Sequence, residues 1–296
     1  VVVVDNASED GSLEWARTQE SGSLQVIANG DVGFCVGVNV GFRAARTPYI
    51  LNVSPDVRLE PNYVAECLRV MKAGRRIGVV GGKLLRATSD GEPVTPSTID
   101  TAGHLPHRNG TVTERGHGEA DTGQFDHEDD IFGVTAAAAL YRAEVVEDIS
   151  FRGMFFDETF WAYKDDIDIC WRAWRWGWRV RYVPSAIAYH QRGFAGGGLN
   201  RQRRRSIPLK LRIHSFSNRH LLLIHNAPLS ALLRNCLHIA WYEIRALGWV
   251  LLKERELLPA YGQTIRRARH AMALRRDSAR RRPISTDPWM SFIRRN

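Results

Sequence analysis

Four consecutive valines, Val1 to Val4, open the chain. A β-branched run this short, with no polar residue alternating in it, is the pattern of a strand buried on both faces, as parallel strands of α/β sheets are. It breaks into Asp5-Asn6-Ala7-Ser8-Glu9-Asp10-Gly11-Ser12, and Leu13-Glu14-Trp15-Ala16 then begins a helix. Further units follow: a strand at Leu24–Ile27, a strand at Tyr49–Val53 closed by Ser54-Pro55-Asp56, an amphipathic helix over 62–73, and a strand over Gly78–Leu85 with Gly81-Gly82 inside it. Short buried strands alternating with helices indicate the α/β class. At 296 residues, 44% hydrophobic and 25% charged, the chain has room for one large domain or two smaller ones.

In open α/β sheets, ligands gather at the carboxyl ends of strands. Asp5 and Asp56 sit just past two such ends, where a carboxylate can meet a ligand or hold a divalent cation. Ser8, Asp10 and the Pro55-Asp56 pair suit caps and turns equally well. Glycines 30, 33, 37 and 41 permit close approach of backbone to a ligand or to a neighbouring element, but their spacing is not the dinucleotide fingerprint. Residues 86–130 are polar and carry Ile99-Asp100-Thr101-Ala102-Gly103 and then His104, His107, His117 and His127. No metal-ligand spacing appears among them, so these histidines are expected to be solvated loop residues, in a segment long enough to serve as a lid or acceptor loop. Ile131 to Arg142 is small and apolar and is expected to form a tightly packed strand. Val180–Pro184 is a further short strand, and Ala186 to His190 leads into a loop. Cysteines 35, 67, 170 and 236 show no paired spacing and are expected to be reduced thiols.

The densest chemistry lies in Phe156-Asp157-Glu158-Thr159-Phe160-Trp161-Ala162-Tyr163-Lys164-Asp165-Asp166-Ile167-Asp168-Ile169-Cys170-Trp171-Arg172. Asp165 and Asp166 fall where a helix would start, where its dipole favours acids. Crowded carboxylates also raise one another's pKa, which suits one of them to take a proton. Trp171 and Trp174 share a helix face and are expected in the core. Gly177 is the expected C-cap.

Taken together and in this order, these stretches resemble an inverting family 2 glycosyltransferase of the GT-A fold, close to bacterial rhamnosyltransferase-like members. The resemblance rests on Val4 to Ser12, Asn39-Val40-Gly41 with Ala45, Ser54-Pro55-Asp56, Gly133 to Arg142, Phe156 to Arg172, and Gly177-Trp178 through Pro184 to His190. It covers residues 1–195 strongly and 200–270 more loosely. It implies a mixed, mainly parallel sheet flanked by helices, with a C-terminal basic helical extension. It also implies roles. Asp5, Ser8, Asn39, Ser54 and Asp56 would bind the donor nucleotide. Asp56 would be a metal ligand, completed by His190; because Ser54 replaces the first acid of the family's Asp-x-Asp, Asp56 would be the sole carboxylate ligand. Asp165-Asp166 matches the catalytic Glu-Asp pair, with Asp166 as base. Asp168 and Arg172 would brace the helix. Trp161 and Tyr163 would stack on acceptor sugars, or pack in the core.

The implied reaction transfers a sugar, with L-rhamnose from dTDP-rhamnose as the expected donor, to a saccharide or polyprenyl-linked acceptor in cell-envelope polysaccharide synthesis, with Mg2+ or Mn2+. A UDP-hexose donor on the same fold is the alternative. The family begins with one more strand and helix than this chain, and the chain opens without methionine or signal-peptide pattern, so upstream sequence is expected.

Residues 201–296 hold 21 Lys+Arg against 5 Asp+Glu, a net of +16 in a chain of net +9. Apolar residues recur at 229, 233, 237, 240/241, 244, 247 and 251, interrupted by Arg234, Glu243 and Arg245. The pattern fits an interfacial helix on anionic lipid, at the inner face of a plasma membrane, or a helix packed on the catalytic domain. The expected division is a catalytic domain over 1–195, an amphipathic helical extension over 196–265 and a basic, poorly ordered tail over 266–296. A nucleic-acid-binding protein driven by the basic tail, and a non-catalytic remnant, are the rival readings.

Overall fold

The computed structural model describes residues 1–192, 207–281 and 288–293. The valine run forms β1 (Val2–Asp5), and α1 (Ser12–Thr18) returns the chain to β2 (Gln25–Ala28). β1 and β2 pair in parallel, from Val2 opposite Gln25 to Asp5 opposite Ala28. α2 (Phe34–Ala44) packs on β1. Here the glycine series serves packing: a Cβ on Gly37 would lie 2.4 Å from Asn6 Nδ2.

The main sheet has seven strands: β3 (Tyr49–Val53), β4 (Val57–Leu59), β5 (Ile77–Arg86), β6 (Ile99–Thr101), β9 (Asp129–Asp130), β10 (Ala138–Arg142) and β11 (Arg179–His190). Its main path is β3-β10-β5-β11-β4, with β6 beside β5 and β9 beside β11. β7 (His104–Pro106) and β8 (Val112–Glu114) make a separate antiparallel hairpin. The sheet is mixed, as expected, but not mainly parallel. Among the described residues only β1–β2 and β5–β11 are parallel pairs; the other six pairings are antiparallel. A buried apolar run reads the same in either direction, so the sequence pattern does not encode strand polarity. The stretch from Ile131 is also shorter as a strand than expected, with pairing to β3 and β5 confined to Ala138–Arg142.

Central strand β5 is buried along all but its last residue. Its alternation feeds two cores. Val80 and Leu84 meet Tyr63, Cys67, Val70 and Met71 of α3 (Tyr63–Ala73). Val79 and Leu85 belong to the larger core on the other side, with Phe155, Phe156 and residues of α5 (Asp165–Arg175). α4 (Ala143–Ile149) joins that layer. β11 bulges between Val183 and Ile187, which brings Ala186 O to 2.0 Å from where a Cβ on Gly82 would sit, so Gly82 is required there.

The C-terminal part comprises α6 (Leu209–Asn226), α7 (Leu229–Arg234), α8 (Cys236–Lys253), α9 (Pro259–Arg281) and α10 (Pro288–Ile293). Residues 266–281, expected to be poorly ordered, continue α9, and the boundary expected at 265 falls inside that helix. The reason is contact: α9 runs alongside α6, with Gln263 beside His214, Thr264 beside Ser217 and Arg275 donating to the carbonyls of Ile224 and Ala227. α10 also docks. Trp289 is buried against Trp171, and Phe292 against Trp174 and Phe132. The arginine run at 201–205 lies outside the described residues.

Candidate active site

The first turn of α5 carries Asp165, Asp166 and Asp168, where unpaired backbone N–H groups favour negative charge. Their environments separate them. Asp168 is buried, which works against its charge, but Arg172 and His225 outweigh burial and hold its carboxyl below the usual range. It accepts from Arg172 Nε at 2.8 Å, His225 Nδ1 at 2.7 Å and Asn226 Nδ2 at 2.6 Å, so the expected brace to Arg172 is present and α6 strengthens it. Asp165 is buried without such cations. Burial, then repulsion from Asp166, pushes its carboxyl well above the usual range. Asp166 is the partly open member: Oδ1 accepts from Ile167 N at 2.8 Å, Oδ2 from Ala136 N at 3.4 Å, and Oδ2 lies 3.6 Å from His104 Nε2.

The loop ahead of α5 is strained. Trp161, Tyr163 and Lys164 have φ of 64°, 69° and 65°, a region that costs a non-glycine residue about 1–3 kcal/mol. The C-terminal helices hold it there. Asn218 Nδ2 of α6 donates to the carbonyls of Phe160, Ala162 and Tyr163 at 2.8, 2.9 and 2.9 Å. From α9, Arg267 donates to Thr159 O at 2.6 Å, and His270 Nε2 lies 3.1 Å from Asp157 Oδ1. Part of the basic excess is therefore spent on stapling this loop.

At the other end of the site, Asp56 follows β3 and His190 ends β11. His190 Nε2 lies 3.3 Å from Asp56 Oδ2, and Nδ1 lies 2.9 Å from Asp100 Oδ2. Burial disfavours the charged ring, yet the hydrogen bonds to Asp100 and Asp56 outweigh it and raise His190 to about 9. The pair fits a divalent ion in its chemistry when the ion displaces the Nε2 proton: one carboxylate oxygen beside one imidazole nitrogen, with the other ring nitrogen held by a buried acid, as ligating histidines are. No group of three or more His, Cys, Asp or Glu converges among the described residues. An ion here would depend on substrate oxygens and water for its remaining positions, the usual habit of Mg2+ beside phosphates.

A continuous polar path joins the two ends. Asp100, fully buried, receives Arg192 Nε at 2.7 Å; Arg192 Nη2 reaches Glu114 Oε1 at 3.2 Å; Glu114 Oε2 lies 3.6 Å from His104 Nε2, and that nitrogen is 3.6 Å from Asp166. His104 is 4% exposed, not the solvated loop residue expected. Sequence reasoning passed over Asp100, His104, Glu114 and Arg192. Ile99 and Ala102, both fully buried, flank Asp100 and carry it inward with His104; for Glu114 and Arg192 the sequence held no local signal.

The remaining expected site residues fare differently. Asp5 is buried at the end of β1, where the Ser8 side chain, and then the Ser8 N–H at 3.0 Å, lower its carboxyl despite burial. Ser8 is exposed. Ser54 is half-buried, and its backbone N–H donates to Ala137 O at 2.8 Å. Asn39 corrects the expectation of nucleotide binding. Its buried amide donates to Phe156 O at 2.8 Å and Glu158 Oε1 at 3.0 Å and accepts from Phe156 N at 2.9 Å. Both of its donor hydrogens are committed to the loop before α5. Trp161 is half-buried, stacked on His214 at 5.3 Å with Lys210 Nζ 4.0 Å above the ring. Tyr163 is exposed.

The glycosyl transferase family 2 model matches residues 1–150. No curated protein matches the sequence. Among solved structures, GalNAc-T7 with UDP, GalNAc and Mn2+ aligns with a TM-score of 0.54 at 12% identity, over 96% of this chain and 52% of that one. This chain thus spans about half the length of GalNAc-T7. Residues 1–349 of S. aureus TarS in complex with UDP-GlcNAc align with a TM-score of 0.52 at 14% identity, over 99% of this chain and 81% of that one. At these identities the likeness is one of fold, the GT-A fold.

Proposed function

This chain belongs to glycosyl transferase family 2, and we propose that it is an inverting enzyme that moves a sugar from a nucleoside diphosphate donor to a hydroxyl of a saccharide or polyprenyl-linked saccharide. The observation that carries the reading is the separation of the acidic pair: Asp165 is driven towards its neutral form, while Asp166 stays partly open beside Ala136 N and His104. A sugar hydroxyl is a poor nucleophile near neutral pH, so a base must take its proton as it attacks the anomeric carbon. Asp166 is that base. The Ile167 and Ala136 amides hold its two oxygens, with His104 Nε2 3.6 Å from Oδ2, which leaves the carboxylate aimed rather than free to rotate. Burial shifts Asp165 towards its neutral form, which lessens the repulsion beside that base.

Asp5 and Ser8 at the end of β1, with Ser54 and Asp56 past β3, are assigned to the donor nucleotide and its diphosphate. Asp56 and His190 would hold Mg2+ or Mn2+. Such an ion, when bound, offsets charge developing on the leaving diphosphate. The Mn2+ in the GalNAc-T7 structure supports a divalent metal here. Asp100 holds the His190 ring, and Arg192 offsets the charge of Asp100. Tyr163, exposed at the mouth, is assigned to the acceptor, with Trp161 as its wall. L-Rhamnose from dTDP-rhamnose is the proposed donor, on the resemblance to rhamnosyltransferase-like members; the UDP-GlcNAc in the TarS structure makes a UDP-hexose the alternative. We assign residues 1–195 as catalytic domain, and the enzyme to cell-envelope polysaccharide synthesis at the inner face of a bacterial membrane. No described helix is long and apolar enough to cross a membrane.

Calorimetric titration with UDP, dTDP and GDP, each with Mn2+ and again with chelator, tests the reading. Metal-dependent binding of one nucleotide is expected. Equal binding of all three with and without metal would remove the metal and the donor site together.

A further inference from the structure

α7 and α8 follow one another closely, separated only by the buried, non-helical Asn235, whose Nδ2 donates back to Ala231 O at 2.9 Å. Leu229 and Leu233 lie four apart on α7, and Leu237, Trp241, Ile244 and Leu251 follow at spacings of four, three and seven on α8, which keeps each set on one side of its helix. All six face outward: Leu237 is 79% exposed, Trp241 62% and Ile244 64%. Of the 18 residues in α8 only Val250 is buried. A contiguous apolar strip of this size on a soluble surface marks a place where something binds.

The opposite flank of α8 is already occupied. Glu243 pairs with Arg219 of α6 and lies 3.2 Å from His220, and the Arg219 guanidinium sits 4.2 Å over the Tyr242 ring. The strip therefore points away from the protein because the polar side is bolted to it.

Charge decides what covers the strip. Arg234, Arg245 and Arg255 beside it are exposed. The acids of this region are already engaged: Glu243 with α6, Glu254 buried, and Glu256, exposed, paired with Arg212 at 2.6 Å. A two-fold contact between copies sets a patch against itself, so it would bring arginines against arginines, with these acids already taken by other cations or by burial. An anionic lipid surface supplies the missing charge and an apolar layer at once. An α8 that crossed the bilayer would have to carry Glu243 and Arg245 into it; lying flat, it need not.

We propose that the α7–α8 face docks in the plane of an anionic bilayer, with Leu237, Trp241 and Ile244 in the acyl boundary and Arg234 and Arg245 on the headgroups. This names the surface behind the membrane location given above and rests on that location, not on the transfer chemistry. α6 carries both Arg219, which anchors α8, and Asn218, which holds the loop before Asp165, so the docked face and the catalytic loop share one rigid element.

The test is co-sedimentation of the full chain with phosphatidylcholine vesicles, with and without phosphatidylglycerol, beside light scattering of the free protein. Wild type is expected to sediment with the anionic vesicles only and to be monomeric. Leu237→Glu with Trp241→Glu should lower the bound fraction at least about tenfold, and Arg245→Gln about fivefold, the loss of one lipid-facing cation. Circular dichroism and nucleotide binding should stay unchanged in both variants, which separates docking from the donor site. Vesicle binding that the double variant leaves intact would overturn the surface. No vesicle binding, with a wild-type dimer that the double variant makes monomeric, would give the face to a second copy instead.

Discussion

α5 and α8 invert the usual rule of burial in opposite senses. α5 draws charges into the protein: Asp165, Asp168, Arg172 and Arg175 are all buried. α8 keeps its leucines, Trp241 and Ile244 outside and one valine inside. Buried charge and exposed apolar surface are the two departures that carry information about function, because each costs free energy that folding alone would avoid. In α5 the cost is offset for Asp168 by pairing with Arg172, His225 and Asn226, burial pushes Asp165 towards its neutral form, and Asp166 is left the most open of the three. In α8 nothing within the described residues offsets it.

The contrast can be broken at several points. The largest effect should come from Asp166→Asn, which is expected to lower kcat by about 10²–10⁴-fold while nucleotide affinity by calorimetry shifts less than about twofold. Parallel loss of nucleotide affinity would make Asp166 a structural acid like Asp168. Next, Ile169→Ala in the core face of α5 should cost about 2–5 kcal/mol in urea unfolding; a cost below about 1 kcal/mol would mean that the helix is not the packed centre that its burial indicates. Asp100→Asn should weaken Mn2+ binding about 10–100-fold, read by calorimetry, because it loosens the ring of His190, the proposed ligand.

Glu243 tests the bolt beneath α8. Burial disfavours its charge, but the hydrogen bond to His220 and the charge of Arg219 lower its pKa from 4.5 to about 2. A depressed carboxylate stabilises the fold above its unfolded pKa and ceases to do so as pH falls through its folded one. Thermal unfolding temperature should therefore fall between pH 4.5 and about pH 2, and Glu243→Gln should flatten that slope. The fall should be modest, since Glu243 is partly exposed and screened. The smallest effect belongs to Leu237→Ala, expected within about 0.5 kcal/mol in the same urea experiment. A cost like that of Ile169→Ala would show that the α8 face is covered within the folded chain.

Local pattern carried far in this chain. The strand ends at Asp5 and before Asp56, and the acidic start of α5 with its Trp171–Trp174 face, all depend on neighbours within a few positions, and each appears in the structure where the pattern put it; the valine run forms its strand but is half-buried, with Val1 exposed, because β1 pairs only with β2 and not with the main sheet. The stripe from Leu229 to Leu251 was equally visible. Periodicity gave its face but not its direction, since an amphipathic helix packed inward and one turned outward have the same spacing.

The misread positions depend on residues distant in the chain. Asn39 looked available until Phe156 and Glu158, 117 and 119 positions away, took its amide. His104 looked like a loop histidine until Asp166 and Glu114 came within 3.6 Å on either side. The arginines of α9 looked like a solvated tail until Thr159 and Ile224 offered carbonyls to them.

The sequence by itself determined the α/β class, the family likeness and the acidic centre, because hydrophobic period and strand-end chemistry are properties of short stretches. Only the tertiary structure decided strand polarity, which of three adjacent aspartates stays open, and which helix faces outward. Those outcomes turn on which distant groups meet, and burial and pairing energies have no value until they do.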